Sequence, residues 1–412
     1  MEIPLQSFIS RQVSQIREGG PNEALLRFGW LIDATFAVLF VLAVRALRPV
    51  ITIRVGSLPG QFIGNLAPIP EIYLCERDAG KHGRRVLDIF FFYKDGRGIC
   101  NQQLKKMWER EILVVPFSGV MDKALRRLPL QHHVPWRMDG PELDIYGLLP
   151  GTEPHVSFTE SEEMKGRQAL LDLGVAEDSD FICFHARDEA FTNSTQPDWN
   201  RYESSYRNCK ASNYVAAGQA LASRGHFAIR MGSLIDRPIP DGGAGVIDYA
   251  TIGTNDFMDI YLSAKCRFFI GCTSGLFTIA QIFRKPLVLT NYARLSEIVW
   301  YGPDTLIIPK KLWSRTEQRY LAFGEIAGTN IGNFLHKELF DELGIELIEN
   351  TPEEISAVCI EMDDRLKGVW QTTEEDEVLQ TKFWSNFQEV RQGHKTEARI
   401  GAEFLRNNAG LV

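Results

Sequence analysis

The sequence predicts an α/β protein built on a parallel sheet of the Rossmann-like kind. Two observations carry this prediction: short apolar, β-rich runs alternate with helical segments, and the runs of the second half end in glycine or polar residues. At 412 residues the chain is long for one domain, and its 44% hydrophobic content suffices for a large core. The net charge of −8 argues against a general nucleic-acid binder.

The first notable element is an apolar segment at residues 31–50, LIDATFAVLFVLAVRALRPV. Its uninterrupted apolar core, residues 34–44, has 11 residues, which is too short to span a bilayer. Arg45 and Arg48 follow this core and suit a helix that lies in an anionic cytoplasmic leaflet. Two interpretations stay open: a buried helix packed on the first domain, and a helix in contact with the inner face of the membrane.

The cysteines and the N-terminus indicate a cytoplasmic protein. There are seven scattered cysteines and no C-x-x-C pair, which argues against a disulfide frame and against a zinc site. We expect buried free thiols in a reducing compartment. We expect no cleaved signal peptide, because no small-residue cleavage site follows the first apolar run.

The first half of the chain shows one round of strand and helix alternation. Strands are predicted at residues 51–55, 86–93 and 112–117, because these runs are apolar and rich in β-branched or aromatic residues. The amphipathic stretch at residues 101–110 predicts a helix with Asn101 as its N-cap. Residues 135–165, rich in Pro, Gly and Glu, form the predicted linker.

The second half restarts the alternation. Its predicted strands lie at residues 181–186, 226–231, 245–250, 266–271 and 285–291, and its predicted helices at 211–225, 255–265, 273–283, 349–366 and 377–408. We therefore divide the chain into an N-terminal helical segment (1–49), two Rossmann-like domains (50–165 and 166–370) and C-terminal helices (371–412). In a parallel sheet the strand ends share one edge, and ligands bind there.

The turn after the strand at residues 266–271 is a candidate anion site. Thr273 or Ser274 can cap the following helix, and Gly275 lets a ligand approach the backbone closely. The unpaired N–H groups of a first helical turn suit a phosphate. Taken alone the turn is weak evidence, because an N-cap serine is common in ordinary helices.

Other strand ends carry charged or aromatic side chains. Arg187, within His185-Ala186-Arg187-Asp188, places a guanidinium at the sheet edge, where it can bind phosphate oxygens or pair with a carboxylate. A second group of strand-end residues allows either a ligand contact or a structural role: Arg230, which can be a buried structural arginine, Asp248, which can bond a ribose or cap a turn, and Tyr249, which can stack on a base.

We expect no metal and no cofactor. No D-x-D follows a strand end as a metal–diphosphate clamp requires, and neither the P-loop nor the dinucleotide-binding glycine motif is present. Cations of the protein itself would then neutralise a diphosphate.

The motifs named above, taken in order, resemble a known family. The order FICFHARD, YRNCKASNY, AIRMGS, VIDYA, DFMDIYLSAKCRFFIGCTSGL and KPLVLTN is similar to that of bacterial glycosyltransferases of surface-polysaccharide loci. The stretches FIGNLAPIPEIYL (62–74) and RIGAEFLRNN (399–408) fit the same family, so the resemblance covers most of residues 50–410. More distantly, the second half resembles the donor domains of heptosyltransferases and O-fucosyltransferases.

The resemblance implies a GT-B fold, in which two Rossmann-like domains face each other across a cleft and a C-terminal helix crosses back. It makes residues 50–165 the acceptor side and 166–370 the nucleotide-sugar donor domain. It assigns the donor phosphate to Arg187 and the turn Thr273, Ser274 and Gly275, with Arg230 and Gly232 lining the cleft. From its strand-end position we expect Arg230 to bind the donor phosphate as well. One departure matters: Asn65 stands where the family often has a histidine, so an acid/base role there is in doubt.

These observations lead to a functional hypothesis. The protein would move a sugar, without a metal, from a nucleotide-sugar to a cell-envelope polysaccharide or a lipid-linked acceptor presented near the Gly56–Asn65 loop. His185, Asp188 or an unidentified residue of the first domain would be the general base. Two rivals stay open: a nucleotide-sugar epimerase or pyruvyl transferase on the same scaffold, and a non-catalytic nucleotide-sugar-binding module.

Overall fold

The structure, a computed structural model, describes residues 35, 36, 38–83, 85–92, 98–116, 144–195, 204–387 and 397–412. The described residues fall into two compact units. The first unit takes those within Met1–Leu58, Gly80–Tyr93 and Ile112–Asp139, and the second takes those within Pro59–Ala79, Lys94–Glu111 and Gly140–Val412. These boundaries differ from the four predicted regions, because helices from the predicted first domain belong to the second unit.

The first unit is a helix on a two-stranded parallel sheet. Helix α1 includes residues 38–47, β1 is Thr52–Leu58 and β2 is Val86–Phe92. The strands pair in register from Thr52 opposite Val86 onward, and Val41 of α1 packs on Val55 and Phe91. The predicted strand at 112–117 is reduced, in its described part, to a single bridge between Val114 and Phe90.

The second unit is organised around a seven-stranded sheet in which every pairing is parallel. The strand order is β12-β8-β7-β6-β3-β4-β5. The bounds are β3 Phe181–Phe184, β4 Phe227–Arg230, β5 Val246–Ile247, β6 Phe269–Gly271, β7 Leu287–Tyr292, β8 Thr305–Pro309 and β12 Arg399–Ile400. This large parallel sheet with flanking helices confirms the predicted α/β class.

Two features of the second unit differ from the prediction. Residues 399–400, predicted as helix, form β12 because their backbone extends the sheet beside Leu306 and Ile307 of β8. A separate antiparallel sheet, in the order β10-β9-β11, was not predicted. Its bounds are β9 Lys311–Ser314, β10 Arg319–Tyr320 and β11 Ile345–Ile348.

The second unit also contains the helices described here, several of which pack on the large sheet. They are α2 Ile63–Leu66, α3 Pro68–Asp78, α4 Gln102–Glu111, α5 Glu160–Asp172, α6 Ala190–Thr195, α7 Val215–Ala222, α8 Tyr249–Ile252, α9 Asp256–Lys265, α10 Phe277–Ile282, α11 Phe323–Ala327, α12 Lys337–Glu342, α13 Pro352–Leu366, α14 Glu374–Ser385 and α15 Ala402–Asn407. Asn101 caps α4 as predicted, since its Oδ1 accepts from the amide of Leu104 at 2.8 Å.

The thiols agree with the sequence-based expectation. All seven cysteines are free, and only Cys100 is not fully buried. Among the described residues, no helix combines the length and the apolar character needed to cross a bilayer.

Candidate functional site

The second unit contains a cavity of about 510 Å³ at the carboxyl edge of its large sheet. Four adjacent central strands each place a lining residue just past their last residue: His185 after β3, Gly232 after β4, Ser274 after β6 and Arg294 after β7. Helix α2, the residue before it and the segment before α4 complete the wall with Phe62, Asn65, Cys100 and Asn101, among others. The volume falls within the range of small-molecule sites.

Arg187 is held at the cavity wall by neutral oxygens. Its Nη1 donates to the Ser204 carbonyl at 3.3 Å and to the side-chain oxygen of Asn208, and its Nη2 donates to Ser204 Oγ at 3.1 Å. Burial lowers the pKa of this guanidinium. The contacts orient the group in the cavity wall, and none of these three acceptors neutralises its charge.

Arg207 also lines the cavity, and sequence analysis did not identify it. Burial and the nearby charge of Arg187 lower its pKa from 12.5 to about 10. Among the described residues it has no ion pair, and its Nε is buried without a hydrogen-bond partner. Lys310 holds the segment in place, because its Nζ donates to the carbonyls on either side of Arg207, those of Tyr206 at 3.1 Å and Asn208 at 2.6 Å.

Arg294 is the third arginine of the cavity wall. Its Nη1 is 2.8 Å from Glu297 Oε1, and its Nε donates to the Tyr206 hydroxyl at 3.3 Å. Burial opposes the charge, but Glu297 and Tyr206 outweigh it and raise the pKa of Arg294. Three guanidinium groups therefore surround one cavity, and only this one has a carboxylate among the contacts described above.

A buried thiol lies directly behind Arg187. The amide of Arg187 donates to Cys272 Sγ at 3.2 Å. Burial raises the pKa of Cys272, but contacts with Cys209, His185 and the Arg187 amide outweigh it and bring the pKa to about 6. Contact with Cys272 and burial raise the pKa of Cys209 instead.

One ring nitrogen of His185 can act as a base, because a hydrogen bond fixes the role of the other. Its Nδ1 lies 3.0 Å from the Met231 carbonyl and must carry hydrogen to bond it. In the neutral ring Nε2 is then the basic nitrogen. Gly232 adjoins the ring, since a Cβ at Gly232 would lie 3.7 Å from His185 Nδ1, and its φ of 153° suits glycine.

Asp188 lines the cavity, but both of its carboxylate oxygens accept hydrogen bonds from backbone amides and hold the chain around it in place. Its Oδ1 accepts from the Ala190 amide at 2.9 Å and its Oδ2 from the Asp236 amide at 3.0 Å. The geometry therefore favours His185 over Asp188 as the proton acceptor.

Two further carboxylates, both missed from the sequence, lie on α9. Asp256 and Asp259 line the cavity, and the Tyr249 hydroxyl donates to Asp259 Oδ1 at 3.1 Å. Burial raises the pKa of Asp259 to about 7, and the nearby Asp256 charge adds to this shift. Asp259 therefore changes charge near neutral pH and can accept hydrogen bonds from a ligand hydroxyl or amino group.

The phosphate turn is built differently from the prediction. Helix α10 begins at Phe277 and has no side-chain cap, so Ser274 is not an N-cap. Ser274 lines the cavity, and its Oγ is buried with no hydrogen-bond partner among the described residues. Thr273 does not line the cavity. Its hydroxyl accepts from the Ala293 amide at 2.8 Å and ties the turn to the segment after β7.

Gly275 serves a packing role that the sequence did not reveal. A Cβ at Gly275 would lie 2.6 Å from the backbone nitrogen of Gly64 in α2. The space expected for a ligand at this glycine is therefore occupied by another backbone, although Gly275 still borders the cavity.

Arg230 and Asp248 do not line the cavity. Arg230 is 1% exposed and lies 3.3 Å from Asp248 Oδ2, and it also donates to the Arg237 carbonyl at 2.9 Å. The structural alternative left open by the sequence therefore describes Arg230, and Asp248 is its partner. Tyr249 is 2% exposed and outside the lining, so its contact with Asp259 replaces the expected stacking on a base.

The two residues expected on the acceptor side belong to different units. Asn65 lines the cavity. Gly56 lies inside β1 of the first unit, where it pairs with Phe90, because the strand extends to Leu58 instead of ending at Val55.

A group of possible metal ligands lies elsewhere in the second unit: Glu71, Cys75 and His155. An arginine occupies this group, since Arg284 Nη2 lies 2.6 Å from Glu71 Oε1 and 3.7 Å from Cys75 Sγ. The guanidinium already supplies the positive charge that a metal ion would bring to the buried carboxylate. These residues therefore fit an ion pair better than a metal.

Comparison with known proteins gives structural similarity only. No protein-family model and no curated protein matches the chain. The glycosyl transferase family 9 protein from Veillonella parvula aligns at 10% identity over 62% of this chain and 85% of that one, with a TM-score of 0.39. ADP-heptose LPS heptosyltransferase II of E. coli aligns at 12% identity over 62% and 90%, with a TM-score of 0.38.

A third solved structure is the iron-containing dodecameric glycosyltransferase TibC from enterotoxigenic E. coli H10407. It aligns at 14% identity over 61% of each chain, with a TM-score of 0.34.

Proposed function

We propose that the protein is a glycosyltransferase that uses a nucleoside diphosphate sugar as its donor. The observation that carries this proposal is the set of three arginines, Arg187, Arg207 and Arg294, around one cavity of about 510 Å³. A diphosphate carries at least two negative charges and suits guanidinium groups, which bind phosphate oxygens in pairs. The cavity volume matches what a ligand of this size needs.

The same groups can promote the transfer step. When the bond between the sugar and the diphosphate breaks, negative charge grows on the leaving phosphate. Arg187 and Arg207 are already placed and partly desolvated, so they stabilise this charge without reorganisation. The Ser274 hydroxyl, which has no bonding partner among the described residues, adds a neutral donor.

We propose His185 as the general base that takes the proton of the acceptor hydroxyl. Its Nε2 is the free basic position because Nδ1 bonds the Met231 carbonyl. Asp259 takes the role that the sequence gave to Asp248, accepting hydrogen bonds from hydroxyl or amino groups of the donor. The reaction needs no metal in this proposal, since the arginines supply the positive charge.

The finer parts of the proposal concern the acceptor and the location. We propose a cell-envelope polysaccharide or lipid-linked glycan as acceptor, close to Asn65, and no cofactor or nucleic acid. We place the enzyme in the cytoplasm, at the inner face of the membrane. The support for the location is the apolar, basic character of α1.

A turnover assay tests the proposed reaction. The protein is incubated with a panel of nucleotide-sugars, a lipid-linked glycan fraction and phosphoenolpyruvate, with and without a chelator, and the products are identified by mass spectrometry. Free nucleoside diphosphate together with an extended glycan supports the proposal. An isomerised sugar indicates an epimerase, a ketal from phosphoenolpyruvate indicates a pyruvyl transferase, and binding without product indicates a non-catalytic module. Activity that is lost with the chelator and restored by a divalent cation contradicts metal independence.

A further inference from the structure

We propose that the outward face of α1 docks the protein on a membrane surface that carries anionic lipids. This inference goes beyond the transfer reaction, because it concerns the first unit and needs no donor or acceptor. The docking surface is the outward face of α1, and the surface that it binds is a bilayer with anionic lipids.

Helix α1 is apolar on both its inner and its outer side. On the inner side Val41 is 4% exposed and packs on Val55 and Phe91. Large apolar side chains also point outward, and each is about half exposed or more: Phe36 67%, Val38 53%, Leu39 58%, Leu42 56%, Leu47 45% and Val50 68%. A helix that is apolar all round belongs in a core or against a membrane.

The exposed side chains form one continuous surface. Phe36, Leu39 and Leu42 are spaced three residues apart, which places them along one side of a helix. At 3.6 residues per turn this side lies away from Val41, the residue that anchors the helix to its sheet. A contiguous apolar patch of this kind marks an interaction site.

The charge around the patch is positive. Arg45 and Arg48 are exposed at the end of α1, and the sequence has no Asp or Glu between residues 34 and 70. In the described part of the first unit, five basic residues stand against one acid, a net of +4, whereas the whole chain carries −8. The basic residues are Arg45, Arg48, Arg54, Lys81 and Arg85.

The single acid adds no negative charge to the surface. Asp88 is held by Arg54 through two hydrogen bonds of 2.6 and 2.7 Å. The net charge of this unit's described part is therefore positive, and Arg45 and Arg48 lie at the end of α1 itself. This combination matches the interface of a bilayer with anionic head groups.

The charges also favour lipid over a second copy of the chain. A symmetric dimer in which the two α1 helices pack in parallel would bring the Arg45 and Arg48 side chains of two copies together, where like charges repel. The uninterrupted apolar core of the sequence, residues 34–44, is too short to span a bilayer, so the helix would lie in the interfacial layer with its outer side in contact with acyl chains.

Vesicle sedimentation of the full-length protein tests the proposal. We expect binding to phosphatidylcholine vesicles that contain phosphatidylglycerol, much weaker binding to phosphatidylcholine alone, and release by salt. The double variant Leu39→Asp, Leu42→Asp should lose at least about tenfold in partitioning, because charges replace the apolar contact. Arg45→Gln and Arg48→Gln should each lose about fivefold, and only on anionic vesicles.

A matched control separates a specific face from general stickiness. Val378 is 65% exposed on α14 of the second unit, so Val378→Asp should leave partitioning unchanged. All substituted side chains are exposed, and thermal unfolding of each variant checks that it folds. If the leucine variants do not fold, the arginine variants and the salt dependence still decide the question.

Three results would overturn the proposal. One is a wild-type protein that stays in the supernatant with both kinds of vesicle. Another is binding that the leucine and arginine variants leave intact. The third is a wild-type dimer, measured by light scattering, that the leucine variant dissociates while no form binds vesicles, which would assign the face to a second copy.

Discussion

Replacing Arg207 with methionine should move ligand affinity and stability in opposite directions. Burial and Arg187 lower the pKa of Arg207 from 12.5 to about 10, so the fold disfavours the charged form. This shift corresponds to about 3 kcal/mol at neutral pH, because each pKa unit is worth about 1.4 kcal/mol. The penalty is fully present below the folded-state pKa of about 10 and disappears as the pH rises toward 12.5.

Arg207→Met removes the charge and keeps most of the aliphatic packing. The unliganded protein should therefore gain up to about 3 kcal/mol of stability. The same change removes a charge-assisted contact to phosphate, worth about 1.5–3 kcal/mol, so the affinity for a nucleoside diphosphate should fall about 10- to 100-fold. A substitution that raises stability and lowers ligand affinity is typical of a residue that serves binding and destabilises the fold.

Two measurements on one pair of variants check this prediction. Thermal unfolding without ligand reports stability, and isothermal calorimetry with the nucleoside diphosphate bound by the wild type reports affinity. Arg315→Met is the matched control, since its side chain is 62% exposed on the surface, and both readouts should stay unchanged. A loss of stability in Arg207→Met with unaltered affinity would refute the reasoning, because Arg207 would then be a structural residue.

Three further predictions concern other residues. Asp259→Asn should raise the unfolding temperature at about pH 8 more than at about pH 5. The pKa of Asp259 is raised from 3.8 to about 7, so the destabilisation by its carboxyl group grows as the pH rises through that range. Equal shifts at both pH values would contradict the buried carboxyl. Gly275→Ala should lower the free energy of unfolding, measured by chemical denaturation, by about 1–3 kcal/mol, since its Cβ would lie 2.6 Å from the backbone of α2. Gly151→Ala, which meets nothing within 4 Å, is the control, and equal losses in both would argue against the clash. Arg284→Met should lower the free energy of unfolding by about 3–5 kcal/mol, because it leaves the fully buried Glu71 without its 2.6 Å partner. An unchanged free energy of unfolding would contradict that ion pair.

The sequence predicted the parallel sheet and its ligand edge because both follow from local patterns. Strands β3, β4, β6 and β7 are short apolar runs with polar ends, and parallel pairing brings those ends together. His185, Arg187, Ser274 and Gly232 could therefore be named in advance as neighbours of one cavity. Strand β12 could not, since two residues give no periodicity and only pairing with β8 defines them.

The wrong predictions at the site concern residues whose interaction partners are set by the three-dimensional structure and cannot be recognised in the sequence. Arg230 and Arg187 both follow a strand, but only the structure places Asp248 against Arg230. Arg294 had a usable signal, because it stands two residues after β7. Arg207 had none, since it lies on a short 3-10 helix and reaches the cavity through the Lys310 contacts.

Calorimetry of the wild-type protein with UDP, GDP, ADP and CMP tests the central claim most directly. If Arg187, Arg207 and Arg294 form a donor-phosphate site, one nucleoside diphosphate should bind with a dissociation constant well below about 1 mM, and salt should weaken it. Arg187→Ala and Ser274→Ala should each reduce that affinity. If all four nucleotides bind more weakly than about 1 mM, the cavity is not a nucleotide-sugar site and the proposed function is wrong.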